Sequence, residues 1–164
     1  YKMNFLWITD RVAITAALCG CLIRLGNLMN SEILGVVTDV PWAFLFVQDP
    51  EYLRGAYPLE PRHPAQLYES LSCLVLFFIM FAIWRRYKTA LPQGTLIGLF
   101  MIWVFSLRFV WEFFKENQVA FENEMRLNMG QILSIPAVLF GVVAVWYALK
   151  KGQTNIWNQE RVKV

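Results

Sequence analysis

Apolar positions along the chain fall into four long stretches, at about 5–27, 65–84, 95–114 and 132–149, parted by polar breaks. A helix needs about 20 mostly apolar residues to cross a bilayer, and the four stretches approach or meet that length. The first is the most interrupted, with Asp10 and Arg11 near its start and Arg24 near its end. The breaks read as turns and loops: "TALPQG" at 89–94 carries Pro92 and Gly94, and 115–129 is strongly polar. The longest connection, 30–64, is rich in acids and Pro, and a loop of that length points to an ordered, functional segment. Pro136 and Gly141 predict a kink in the last stretch, which membrane helices tolerate. Together the pattern predicts an all-α fold, a polytopic membrane helical bundle of about four transmembrane helices, in one integral-membrane domain over 1–164.

Composition strengthens this picture. Hydrophobic residues make up 57% of the chain and charged ones 16%, against about 45–50% and 25% in soluble domains. The net charge of +3 is small and its Lys and Arg residues are scattered, which argues against a nucleic-acid partner. Cys19, Cys21 and Cys73 all lie in apolar stretches without paired spacing. That suits neither a disulfide framework nor a zinc site, and predicts small buried side chains and no metal. The opening "YKMNFLWITD" has neither an initiator Met nor a signal-peptide layout, and reads as starting partway through a larger protein.

Basic residues orient the bundle. Arg85, Arg86 and Lys88 follow the second stretch, and Lys150, Lys151, Arg161 and Lys163 follow the fourth. The positive-inside rule makes both ends, and hence the C-terminus, cytoplasmic. Loops 30–64 and 115–129 then face outward with Glu32, Asp39, Asp49, Glu51, Glu60, Glu116, Glu122 and Glu124. Trp84 and Trp146 suit the inner interface, Trp42 and Trp111 the outer one.

Several polar residues fall at the outward ends of three different stretches: Arg24, Asn27, His63, Gln66, Glu69, Arg108 and Glu112. An ionisable group at mid-membrane costs about 2.5–3.5 kcal/mol, so such groups face a protein interior or a wet cavity. An outward-facing polar cavity is the economical expectation. Arg108 and Glu112 stand four apart and share a helix face, open both to a plain ion pair and to a ligand role. Arg24 begins "RLGNLMNSEILG", where Gly26 and Gly35 suggest tight backbone turns and Asn27, Asn30 and Glu32 offer polar partners. A snorkelling Arg needs no such surroundings. His63, ahead of Pro64, reads as a cap or hydrogen-bond fixture, with Tyr68 and Glu69 in reach one turn later. Gln131 follows Gly130 at the opening of the last stretch.

A guanidinium forks onto phosphate oxygens, so a cavity lined by two Arg residues suits an anionic phospholipid headgroup. The sequence shows no Ser-His-Asp arrangement, glycine-rich nucleotide loop or metal-ligand cluster. Chemistry here would rest on electrostatic stabilisation of a leaving phosphate, aided by a base. The rival reading is a non-enzymatic phospholipid-binding or transport module, although no internal repeat of the transporter kind is visible.

Four ordered blocks, "RLGNLMNSEILG" (24–35), "RHPAQLYES" (62–70), "RFVWEFF" (108–114) and "MGQILSIP" (129–136), resemble those that mark the prolipoprotein diacylglyceryl transferase family of bacterial membrane enzymes. The resemblance covers nearly the whole chain and corresponds to the carboxy-terminal portion of the family, without its amino-terminal spans and His-Gly-Gly loop. It implies a multi-pass protein of the bacterial cytoplasmic (inner) membrane with an outward-facing site. The implied reaction moves the diacylglyceryl group of phosphatidylglycerol to the lipobox Cys thiol of a prolipoprotein signal peptide, forming a thioether and releasing glycerol 1-phosphate. No cofactor is implied. The family's catalytic positions fall on Arg24, Asn27, Glu32, Arg108 and Glu112. Its phosphatidylglycerol contacts fall on Arg24, Asn30, Gly35 and Arg108, with Gly26, His63, Gln66, Tyr68, Glu69 and Gln131 in support. Ile23, Leu28 and Val104 depart from the family, which commonly has Gly, Phe and a functional Tyr there. An inactive fragment of the transferase is a further alternative.

Overall fold

The computed structural model describes residues 5–115 and 127–152. Glu116, Glu122, Glu124, Arg161 and Lys163 lie outside the described residues, as does most of the polar stretch 115–129. Four long helices carry the fold: α1 (Phe5–Met29), α3 (Ala65–Tyr87), α4 (Thr95–Trp111) and α5 (Met129–Lys151). A short helix, α2 (Pro50–Leu53), sits in the connection after α1, and a 3₁₀ turn (Glu112–Phe114) extends α4. All four long elements are apolar and long enough to cross a membrane. No strand forms among the described residues, only isolated bridges such as Gly35 with Lys115 and Val37 with Arg62. The chain is an all-helical, multi-pass membrane protein.

The helices begin and end where local chemistry allows. α5 starts earlier than the apolar pattern because Asn128 accepts the Gln131 N–H at 2.9 Å, while the Gln131 side chain accepts the Asn128 N–H at 3.2 Å. This reciprocal capping box satisfies two N–H groups that a helix start leaves open. α4 has no capping side chain of its own, since Gly94 stands before it at a left-handed φ of 96°. Asp10 of α1 supplies the cap instead, accepting the Gly94 N–H at 2.7 Å and the Ile97 N–H at 2.9 Å. The acid that interrupts the first apolar stretch is thus buried, 2% exposed, at the positive end of a neighbouring helix dipole.

α1 packs mainly along α3, and α4 along α5. The two pairs meet in a core of Ala13, Ile14 and Ala17 from α1, Leu76 and Met80 from α3, and Leu96 from α4. A Cβ on Gly98 would lie 2.9 Å from the Gly141 carbonyl, and one on Gly141 would lie 2.9 Å from the Gly98 carbonyl. Small residues let membrane helices touch backbone to backbone in this way. Gly141 therefore serves a close contact, and α5 continues as one helix through it and through Pro136. Large apolar side chains such as Phe78, Leu133, Leu139, Phe140 and Leu149 point away from the protein. Faces of that kind are stable in lipid, which solvates them as the core would.

The up-and-down order sets the stage for the site. Asp10 fixes the start of α4 beside the first turns of α1, so the far end gathers the end of α1, the start of α3, the end of α4 and the start of α5. We call these the Asp10 end and the Arg24 end.

Candidate active site

The stretch after α1 folds back on itself at once. Asn30 N–H donates to the Gly26 carbonyl at 3.0 Å and Glu32 N–H to the Asn27 carbonyl at 2.9 Å. The turn residues in the left-handed region are Ser31 (φ 54°) and Ile33 (φ 59°), not the glycines. Such a conformation costs a non-glycine residue about 1–3 kcal/mol and persists only where surroundings enforce it. The expectation that Gly26 and Gly35 make the tight turns is corrected here. Gly26 lies within α1 with open space where a Cβ would be, and nothing in the structure explains its being glycine. Gly35 is a matter of clearance: a Cβ there would strike the backbone carbonyl of His63.

The loop is then stitched to its neighbours. Gln66 Nε2 donates to the Glu32 carbonyl at 2.5 Å, Arg62 Nη1 to the Gly35 carbonyl at 3.2 Å, and His63 N–H to the Val36 carbonyl at 3.0 Å. Val36 N–H reaches the Phe114 carbonyl at 3.0 Å, which ties the loop to the end of α4. His63 Nδ1 lies 3.1 Å from the Tyr68 hydroxyl, which accepts the Trp42 Nε1–H at 2.8 Å. The His63 ring meets Phe114 edge-on, centroids 5.4 Å apart. Gln66, His63 and Tyr68 thus bond to the loops around them.

Glu69, from the same stretch, turns inward. Its Oε2 lies 2.6 Å from Arg24 Nε and its Oε1 lies 2.6 Å from Lys115 Nζ. Lys115 Nζ also lies 3.3 Å from Glu112 Oε2. Reading the sequence missed Lys115, which opens a polar stretch and looked like solvated loop; its position three residues after Glu112 was the available signal. An ion pair of Arg108 with Glu112, one of the two readings their spacing left open, is not formed among the described residues. Glu112 keeps the α-helical bond of its N–H to the Arg108 carbonyl, but the 3₁₀ turn that follows brings the buried Lys115 within reach, and its ammonium takes the carboxylate. Gly130 makes room for it, since a Cβ there would fall 2.9 Å from the Glu112 carboxyl carbon. The start of α5 thus closes over Glu112, with its dipole favouring the negative charge.

Arg24, Glu69, Cys73, Val104, Arg108 and Trp111 line a cavity of about 80 Å³. Beside it runs an apolar groove of about 300 Å³ lined by Tyr68, Leu71 and Val75, and the two share Ser72, Trp103 and Trp111 as walls. Trp111 Nε1–H donates to Ser72 Oγ and Trp103 Nε1–H to the Ser72 carbonyl, both at 3.1 Å. Their polar edges being satisfied, both rings offer apolar faces to what lies alongside. Among the described residues Arg108 makes no ion pair, and Arg24 spends only Nε, on Glu69. Asn27, Asn30, Glu32, Gly35, His63, Gln66 and Glu112 stand outside the lining, as supports around it. Cys21 is buried as expected, with its Sγ 3.1 Å from Ser70 Oγ at the α1–α3 crossing, whereas Cys19 is exposed and Cys73 only partly buried.

Two guanidinium groups with N–H donors to spare thus stand beside an apolar groove, and the chain has relatives of similar sequence. The family model described as prolipoprotein diacylglyceryl transferase matches residues 1–147. The chain belongs to the prolipoprotein diacylglyceryl transferase family. It is 46% identical over 150 residues to the phosphatidylglycerol–prolipoprotein diacylglyceryl transferase of Bacteroides fragilis, covering 92% of this chain and 51% of that protein. It is 44% identical over 144 residues to the Protochlamydia amoebophila transferase (88% and 37%) and 42% identical over 153 residues to that of Chloroherpeton thalassium (93% and 54%). The chain thus spans about half the length of the curated relatives it matches. Within this family, Val104 gives the cavity an apolar wall where the sequence resemblance led us to expect a Tyr.

Proposed function

We propose that this chain carries the phospholipid-holding part of a phosphatidylglycerol–prolipoprotein diacylglyceryl transferase. The observation that carries the reading is that Arg24 and Arg108, from different helices, line one cavity with N–H donors to spare, next to an apolar groove. A phosphate accepts forked N–H pairs from guanidinium groups, and acyl chains favour an apolar wall. In the proposed step the lipobox Cys sulfur of a prolipoprotein attacks the glyceryl carbon that bears the phosphate ester. The C–S thioether bond forms as the C–O bond breaks, and glycerol 1-phosphate leaves with the electron pair. Arg24 and Arg108 stabilise the charge that gathers on the departing phosphate, the interaction that most lowers such a barrier. The thiol, with an ordinary pKa of about 8.5, gives its proton to a base. His63 orients Tyr68 in this reading and stands outside the cavity lining. Asn27, Asn30, Glu32 and Gly35 shape the loop that closes the site, and Glu112 anchors Lys115.

By the positive-inside rule, the basic ends after α3 and α5 support an Arg24 end that faces outward and a C-terminus in the cytoplasm, in the bacterial inner membrane. Phosphatidylglycerol and the signal peptide would then meet at the outer boundary of the bilayer. Arg24→Lys in the full-length transferase tests the reading with labelled phosphatidylglycerol and a lipobox peptide. The change keeps the charge and loses the fork, and we expect thioether formation to fall by about tenfold or more. Wild-type rates in that variant would refute forked phosphate recognition. Lipid binding by the wild-type protein without any thioether product would point instead to a binding or transport module.

A further inference from the structure

We propose that Lys115 is the positioning residue that keeps the cavity anion-selective, a role that rests on the phosphatidylglycerol reading above. Counted by charge, the cavity and the ion pairs joined to it hold Arg24, Arg108 and Lys115 against Glu69 and Glu112, while Arg62 and Glu32 in the adjoining loop offset one another in sign. Without Lys115 the two carboxylates would match the two arginines, and the cavity would present no net charge to a phosphate. With it, both carboxylates are engaged from behind. Glu69 gives one oxygen to Lys115 at 2.6 Å and the other to Arg24 Nε at 2.6 Å, so it can hold Arg24 in place without cancelling it. The side chains of Lys115 and Glu69 are only 5% and 7% exposed, so solvent screens this arrangement weakly. Arg24, at 24%, is the member that opens to the cavity, while Lys115 is absent from the cavity lining. Its effect on a bound anion therefore travels through Glu69, which makes it a positioning residue and not a catalytic one.

The position of Lys115 is itself enforced. Its backbone pairs with Gly35, its N–H donates to the Glu112 carbonyl at 3.4 Å, and Val36 is bonded to the preceding Phe114. The loop after α1 and the end of α4 thereby fix one ammonium group between carboxylates from α3 and from the 3₁₀ turn.

The test measures preference for phosphatidylglycerol over phosphatidylcholine, by competition in lipid nanodiscs holding the full-length transferase, with thioether formation measured in parallel. Lys115→Met is expected to lower that preference by about tenfold, the scale of one charge removed at close range in a partly buried site. Lys115→Arg should keep it within about twofold. In the double variant K115M/E69Q one cation and one carboxylate leave together, so the preference should return to near the wild-type value. A merely structural lysine would change thermal stability across these variants but not the ratio of anionic to zwitterionic lipid. Wild-type preference in Lys115→Met, or a double variant as unselective as Lys115→Met, would overturn the proposal. Should Lys115→Met not fold, the double variant decides alone: a lost preference there means that Lys115 meets the headgroup itself. A wild-type protein that transfers and yet shows no lipid preference would sink the charge argument and leave the transferase reading standing. One that neither transfers nor discriminates would remove both.

Discussion

The two ends of the bundle each bury acidic side chains, and they satisfy them by opposite means. At the Asp10 end one carboxylate takes two backbone N–H groups at the start of α4, 2.7 and 2.9 Å away. The donors that hold it are backbone groups of the fold itself. At the Arg24 end Glu69 is held by the side chains of Arg24 and Lys115, and guanidinium N–H groups are left over beside a cavity. Burial of a charge in a membrane protein is thus no mark of a site by itself. What marks the Arg24 end is that guanidinium groups line a cavity there with N–H donors left over.

The sharpest way to break this comparison is at Gly35, where loop and site meet. Gly35→Ala drives a methyl group into the His63 carbonyl. We expect a loss of about 2–3 kcal/mol in stability or a displaced loop, in keeping with overpacked sites. Either way transfer should fall more steeply than helix content, as circular dichroism and thioether assay together would show. Next is Asp10→Ala, which strips the start of α4 of its borrowed cap. Loss of a capping side chain costs up to about 2 kcal/mol, seen as a lower melting temperature, while the specific activity of the folded fraction stays as it was. Activity lost in proportion beyond that would mean that the two ends are coupled. The smallest effect is expected from His63→Gln, which can still bond Tyr68. Transfer should change by no more than about tenfold, the scale of one neutral hydrogen bond of about 0.5–1.5 kcal/mol. A far larger loss with folding intact would make His63 the missing base.

Much of this was legible in the sequence. The four apolar stretches became four helices, and the blocks around Arg24 and Arg108 marked two residues that the fold brings to one cavity. Other features resisted reading, for reasons that lie in tertiary geometry. Asp10 looked like a flaw in a span because the helix it caps begins more than eighty residues later. Glu112 does stand one α-helical turn after Arg108, but the 3₁₀ turn behind it delivers a lysine that competes for its carboxylate. Gly35 looked like a tight-turn residue, whereas it is a gap kept open for the distant carbonyl of His63. Sequence periodicity carries face and length; it does not carry which distant backbone will need a donor or a space.

The shared wall of Ser72, Trp103 and Trp111 between the charged cavity and the apolar groove has a consequence for kinetics. Leu71 and Val75, on the groove side, are about half exposed, at 51% and 49%, on a helix whose outer face belongs in lipid. On the proposed reading a lipid could offer its headgroup to the arginines while its tails never leave apolar surroundings. Each methylene kept out of water saves about 0.8 kcal/mol of transfer cost. The search for substrate then becomes lateral diffusion in a plane where the lipid is already concentrated, and turnover should follow the mole fraction of phosphatidylglycerol in the membrane more closely than its bulk amount.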